Sequence, residues 1–134
     1  MTRSRASAKA AGSRLEREVA DYLAEHVDDR IDRRVKTGAV DKGDIASLRT
    51  RVGNQRVVVE CKNYAGQLKV TPWLGEAETE RVNDGAVAGI VVAKRAKTQK
   101  PGEQIVFMTV ADLAALLTGT RPQPTLTTET EPAP

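Results

Sequence analysis

The chain is poor in aromatic side chains, has one cysteine and one histidine, and contains no long apolar run. Aromatics make up 3% of its residues, so a core must be built from Val, Leu, Ile and Ala. A single cysteine excludes an internal disulfide and suits a reducing compartment. With no cluster of Cys and His there is no ligand set for zinc. No apolar stretch approaches the roughly 18 residues a membrane span needs. The basic N-terminus lacks the apolar segment of a secretory signal. These absences lead us to expect a cytoplasmic protein. Abundant Ala, Arg, Val and Asp beside scarce Ile, Phe and Asn suggest a GC-rich genome, that of a bacterium or a phage in its host.

What is present fits one domain. A chain of 134 residues buries roughly two-thirds of its unfolded surface, enough for one core. The net charge of +3 permits a nucleic-acid partner without requiring one. Its distribution says more. Residues 1–14 carry Arg3, Arg5, Lys9 and Arg14 with no acid, and residues 94–100 carry Lys94, Arg95, Lys97 and Lys100 with none. Such segments either follow a phosphate backbone or are solvated tails and loops, and charge alone leaves both open.

Periodicity gives the element order. Residues 1–12 read as a basic flexible arm, 13–118 as a single domain and 119–134, rich in Thr, Pro and Glu, as a disordered tail. Leu15, Val19, Tyr22, Leu23 and His26 recur at helical spacing, with Ser13 and Glu16 as a capping box. His26 is read as a structural or helix-C-terminal residue rather than a ligand. A strand is expected over 31–35, then a glycine-containing loop, KTGAVDKG, and a second strand from Asp44. A turn at Gly53–Asn54 returns the chain into VVVECK, 57–62. Thr71 and Pro72 open a helix that stops near Gly85. The apolar run 86–93 after that helix implies a β-α-β crossover. A strand over 104–110 and a helix over 111–117 complete an α/β fold, a mixed five-stranded sheet flanked by helices.

VVVECK poses the functional question. Alternation puts Val58, Glu60 and Lys62 on one face and Val57, Val59 and Cys61 on the other. Cys61 is then a small buried residue, while two charges end an apolar strand. Glu16 shares the helix face expected to be buried, and Glu18 falls on the polar side. Asp44 opens the strand that pairs with VVVECK. Asp41 is its rival, but an apolar strand begins directly after Asp44, so Asp44 is preferred. Two carboxylates about 4 Å apart repel by about 4 kcal/mol at an effective dielectric near ~20. A shared proton or divalent cation relieves that, and hard oxygens suit Mg²⁺ or Mn²⁺. Lys62 beside them could ready a water or stabilise charge on a phosphate. Glu76, Glu78 and Glu80 are read as a solvated helix face, and Tyr64 and Trp73 as packing or base-stacking residues.

Gly43-Asp44 followed by Glu60-Cys61-Lys62 resembles the PD-(D/E)XK nuclease signature. The helix segment LERE, 15–18, with Arg33 or Arg34 and then Thr37-Gly38 before Asp44, resembles the archaeal-type Holliday junction resolvases of that superfamily. The resemblance covers about residues 12–93. Lys42-Gly43 stands where the signature has its Pro, a position that varies across the superfamily. The resemblance implies a restriction-endonuclease-like fold and a Mg²⁺-dependent DNA endonuclease. Asp44, Glu60 and the Cys61 backbone carbonyl would be metal ligands, Glu16 would reach the metal through water, and Lys62 would assist the attacking water. A four-way junction is the implied substrate and a homodimer the implied assembly. Candidate DNA contacts are Arg33, Arg34, Lys36, Thr37 and Lys42, with Lys94, Arg95 and Lys97. The alternatives are another nuclease of the superfamily acting on linear DNA and a non-catalytic DNA-binding module.

Overall fold

The structure is a computed structural model that describes residues 4–35, 38 and 40–123. Lys36, Thr37 and residues 124–134 lie outside the described residues. The chain forms helix α1 (Arg5–His26), strands β1 (Asp32–Arg33), β2 (Ile45–Ala46) and β3 (Val57–Lys62), helix α2 (Val70–Asp84), strand β4 (Ala88–Ala93), a single 3₁₀ turn at Pro101–Glu103, strand β5 (Ile105–Phe107) and helix α3 (Val110–Thr118). The sheet order follows the chain, β1-β2-β3-β4-β5. All neighbours are antiparallel except β3 and β4, which run parallel on either side of α2. This is the α/β architecture with a mixed five-stranded sheet that the sequence predicts.

β3 and β4 are the centre because they are the two runs richest in β-branched and small apolar residues. Every residue of β4 is buried, and every residue of β3 except Lys62. Alternation divides them between two cores. Val57, Val59 and Cys61 of β3 join Ala88, Ile90 and Val92 of β4 in a layer with Leu15, Val19 and Ala20 of α1 and Ala115 of α3. Val91 and Ala93 turn to the other face and pack on Trp73 and Ala77 of α2, with Phe107 beside them. The one tryptophan is therefore core, stacked with Phe107 at 6.3 Å between ring centroids, and tilted against exposed Tyr64 at 5.1 Å.

Four local expectations are corrected. Helix α1 begins at Arg5 rather than Ser13, because Ser4 caps it by accepting from the Ser7 amide and an Ala-rich first stretch propagates well. Residues 5–12 are thus helical, with Ala11 buried. Tyr22 and His26 do not enter the core; both are exposed, their rings 4.4 Å apart. α2 is capped by Lys69 without a side-chain bond, so Thr71 already sits inside it. β2 is only two residues long, since Ser47 has φ of 72°, which turns the chain out of the strand. The hairpin nevertheless closes as expected, through Ile45 opposite Val59, a bridge between Arg49 and Arg56, and left-handed Gly53 and Asn54. Past 118, Arg121 is held by Asp112 and by the Val87 carbonyl.

Candidate active site

The site lies where β2 begins beside the second half of β3, on the α2 face of the sheet. Its formation starts at Gly43. The backbone there has φ of +95°, and a Cβ would come within 2.9 Å of Val58 Cγ1 and 3.2 Å of the Val59 carbonyl. Only glycine fits such an approach. The tight pass lets the Asp44 amide donate to the Val59 carbonyl at 2.8 Å. It also aims the Asp44 carboxylate along β3, where Oδ2 accepts from the Cys61 amide at 2.8 Å. A strand residue directs its N–H and C=O to the same side. The Cys61 carbonyl therefore faces the same edge as Asp44.

Glu60 and Lys62 project onto the α2 face, opposite Cys61. The Asp44 and Glu80 carboxyls lie close enough to the Glu60 carboxyl to raise its pKa, so Asp44 and Glu60 share one site. Lys62 Nζ lies 3.4 Å from Glu60 Oε2 and 2.7 Å from Glu76 Oε1, and 5.9 Å from the centre of the Trp73 ring. Burial alone would make the lysine less basic. The hydrogen bond to Glu76 and the charge of Glu60 outweigh it, and its pKa is raised. Lys62 is a fixed cation.

The structure adds two acids. Glu80 was expected on a solvated face; it is 3% exposed and points into the site. Trp73, Ala77, Glu80 and Asp84 are the buried residues of α2, at spacings of four, three and four. That stripe was present in the sequence and was the signal for Glu80. Asp41, the rival of Asp44, joins as well. Single carboxylate oxygens of Asp41, Glu60 and Glu80 lie within 4.8 Å of one another. Asp41 is held there by accepting from the Gly43 amide at 2.9 Å, while its carbonyl takes the Asn83 side chain at 2.8 Å. The trio holds Asp41 rather than Asp44, which adjoins it beside Glu60 and accepts from the Cys61 amide.

Glu16 comes from the opposite layer. It accepts from Arg33 at 3.4 Å and is mostly buried. Its field still reaches β3: burial raises the Cys61 thiol pKa first, and Asp44, Glu16, Glu60 and Glu80 all add to it. Among the candidate DNA contacts, Arg34 pairs with buried Asp84 at 3.3 Å. Lys94 and Arg95 organise their own loop, through the carbonyls of Arg95 and Thr98 and of Glu103 respectively. Lys42 and Lys97 are exposed.

The electrostatics identify what the cluster lacks. Burial first, then Asp44 and Glu80, push Glu60 up to about 10. Burial likewise carries Glu80 to about 7, with Asp41 and Asp44 adding to it. Among the described residues Glu80 Oε1 is buried without a hydrogen-bond partner. An orphan oxygen inside a cluster of carboxyl groups is what a hard dication would satisfy. The donor set of carboxylates and a backbone carbonyl fits Mg²⁺ or Mn²⁺. No family model, curated protein or solved structure matches the chain.

Proposed function

We propose that the chain is a divalent-metal-dependent endonuclease of the PD-(D/E)XK type that hydrolyses DNA phosphodiester bonds, with a four-way junction as its substrate and a homodimer as its working form. The observation that carries this reading is the meeting of Asp44, Glu60 and Lys62 at one edge of β3, joined by Asp41 and by Glu80 with its orphan oxygen. A pure binding module gains nothing from acids gathered where phosphates would lie.

Asp44, Glu60, Glu80 and Asp41 would hold the cation, with the Cys61 carbonyl facing the same edge. When bound, Mg²⁺ or Mn²⁺ supplies Lewis-acid chemistry, easing ionisation of water and neutralising phosphate charge. Lys62 stays protonated, so its part is to position the attacking water and offset charge on the phosphoryl oxygens, not to take the water's proton. Glu76 and the face of Trp73 fix the ammonium in place. Glu16 orients Arg33 at the neighbouring edge of the sheet.

The test is purified full-length protein with Mg²⁺ or Mn²⁺ on a synthetic immobile junction, a linear duplex and single-stranded DNA. Paired symmetric nicks confined to the junction are the expected result. Cutting of linear duplex would move the assignment to another nuclease of this type, and binding without cutting would leave a DNA-binding module. Asp44→Asn and Lys62→Ala should each lower cleavage by about a hundredfold or more, with junction binding retained. Parental rates in both would refute the site.

A further inference from the structure

A second polar concavity adjoins the acid cluster. It is a groove of about 620 Å³ whose charged walls are Arg34, Lys42, Arg49, Arg56 and Asp84. Four cations face one carboxylate. Asp84 is already engaged, its side chain by Arg34 at 3.3 Å and its backbone carbonyl by Arg56 at 3.1 Å. Arg49 gives one N–H to the Asn54 carbonyl at 3.1 Å. A guanidinium has five N–H donors, so among the described residues these bonds leave most of the donors of Arg49 and Arg56 for another acceptor. Arg34 Nε is buried with no partner among the described residues.

The groove is joined to the candidate site by backbone. The Arg34 amide donates to the Asp44 carbonyl at 2.8 Å, and Asn83, on the groove wall, holds the Asp41 carbonyl. Lys42 sits between Asp41 and Gly43. A strand whose reacting phosphate lies at the acids therefore meets this groove next. We infer that the Arg34–Lys42–Arg49–Arg56 groove binds a DNA phosphodiester flanking the reacting one, so that phosphate is held on cations while its neighbour lies at the acids. This rests on the proposed DNA substrate. Arg49 and Arg56 are not among the contacts expected from the sequence, because the hairpin alone brings them to Arg34.

The test separates the groove from the chemistry by measuring binding without metal. Full-length protein is titrated onto fluorescently labelled duplex DNA in EDTA at several KCl concentrations. Each phosphate contact contributes about −0.9 to the slope of log affinity against log salt. Lys42→Gln/Arg49→Gln should reduce the slope by roughly two, and Arg49→Gln alone by roughly one, with thermal unfolding unchanged. Lys100→Gln, which removes a charge from the turn before β5, should leave the slope intact. A parental slope in the double variant, or wild-type binding without salt dependence, would overturn the inference. If the slopes fall as expected but no DNA is cut under Mg²⁺ or Mn²⁺, the groove stands and the nuclease reading fails. Cutting with unaltered slopes gives the reverse.

Discussion

Asp112 and Glu80 are buried to nearly the same degree, 5% and 3% exposed, yet they are treated oppositely by the fold. Asp112 accepts from Thr109 Oγ1 at 2.7 Å and the Gly89 amide at 3.1 Å, and pairs with Arg121. Burial works to raise its pKa, but Thr109, Arg121 and Gly89 more than offset that and the net shift is downward. Glu80 has acids for neighbours, an oxygen without a partner among the described residues and a raised pKa. One carboxylate is neutralised from within and closes α3 onto β4. The other is left short of positive charge, beside Glu60, where the proposed cation would supply it. Burial of an acid says little by itself; the donors around it decide whether it is architecture or chemistry.

The contrast can be broken first at its structural end. Asp112→Ala removes the α3 capping box and strands Arg121 and the Gly89 amide. We expect a loss of about 3 kcal/mol in urea unfolding, unchanged by divalent cations. A loss below about 1 kcal/mol would show that Asp112 is not the structural counterpart of Glu80. A smaller effect is expected at the pass that positions the cluster. Gly43→Ala adds a Cβ against Val58 and the Val59 carbonyl at positive φ. A cost of about 2 kcal/mol follows, and cleavage should fall further than stability alone explains, because the Asp44 amide and carboxylate both depend on that backbone. Full cleavage by a folded Gly43→Ala protein would detach the site from its glycine.

Much of this was legible in the sequence, for identifiable reasons. β3, α2 and β4 announced themselves because a β-branched run, a helix stop at Gly85 and a second apolar run are strong local signals. The fold class followed from their order. Gly43-Asp44 and Glu60-Cys61-Lys62 were found because chain order and strand parity place those residues without knowledge of packing. β1 and β2 were overestimated, since strands of two residues are set by pairing and by the left-handed Ser47. The start of α1 was missed because Ser13 and Glu16 mimic a cap that Ser4 provides. Glu80 was assigned to solvent by residue type, although Trp73 and Ala77 already marked its face as buried. Asp44 is preferred to Asp41 for the apolar strand that follows it, a local signal blind to the loop that brings both near Glu60.

The smallest expected effect sharpens the comparison most, because it inverts the usual sign of losing a buried polar group. Glu80 titrates near 4.5 when unfolded and at about 7 when folded. Between those values the native protein holds a proton that the unfolded chain has lost, so stability is highest below the lower value and declines as pH rises through the upper one. Glu60, pushed to about 10, adds a decline of its own over the same range and carries it to higher pH. In EDTA, wild-type stability should therefore fall from pH 5 to pH 8, with an upper bound on the order of 3 kcal/mol from Glu80. Mg²⁺ or Mn²⁺ should oppose the fall at pH 8 by binding only the folded, ionised site. Glu80→Gln removes that titration but keeps a polar group in the cavity. It should make the profile shallower, leaving the part due to Glu60, and gain about 1 kcal/mol at pH 8 without metal, while losing most of the stabilisation that metal confers. Stability that holds level or climbs over that range in the wild type, or a Gln variant as weakened as Asp112→Ala, would make Glu80 another satisfied structural acid and remove the reason to place a cation beside it.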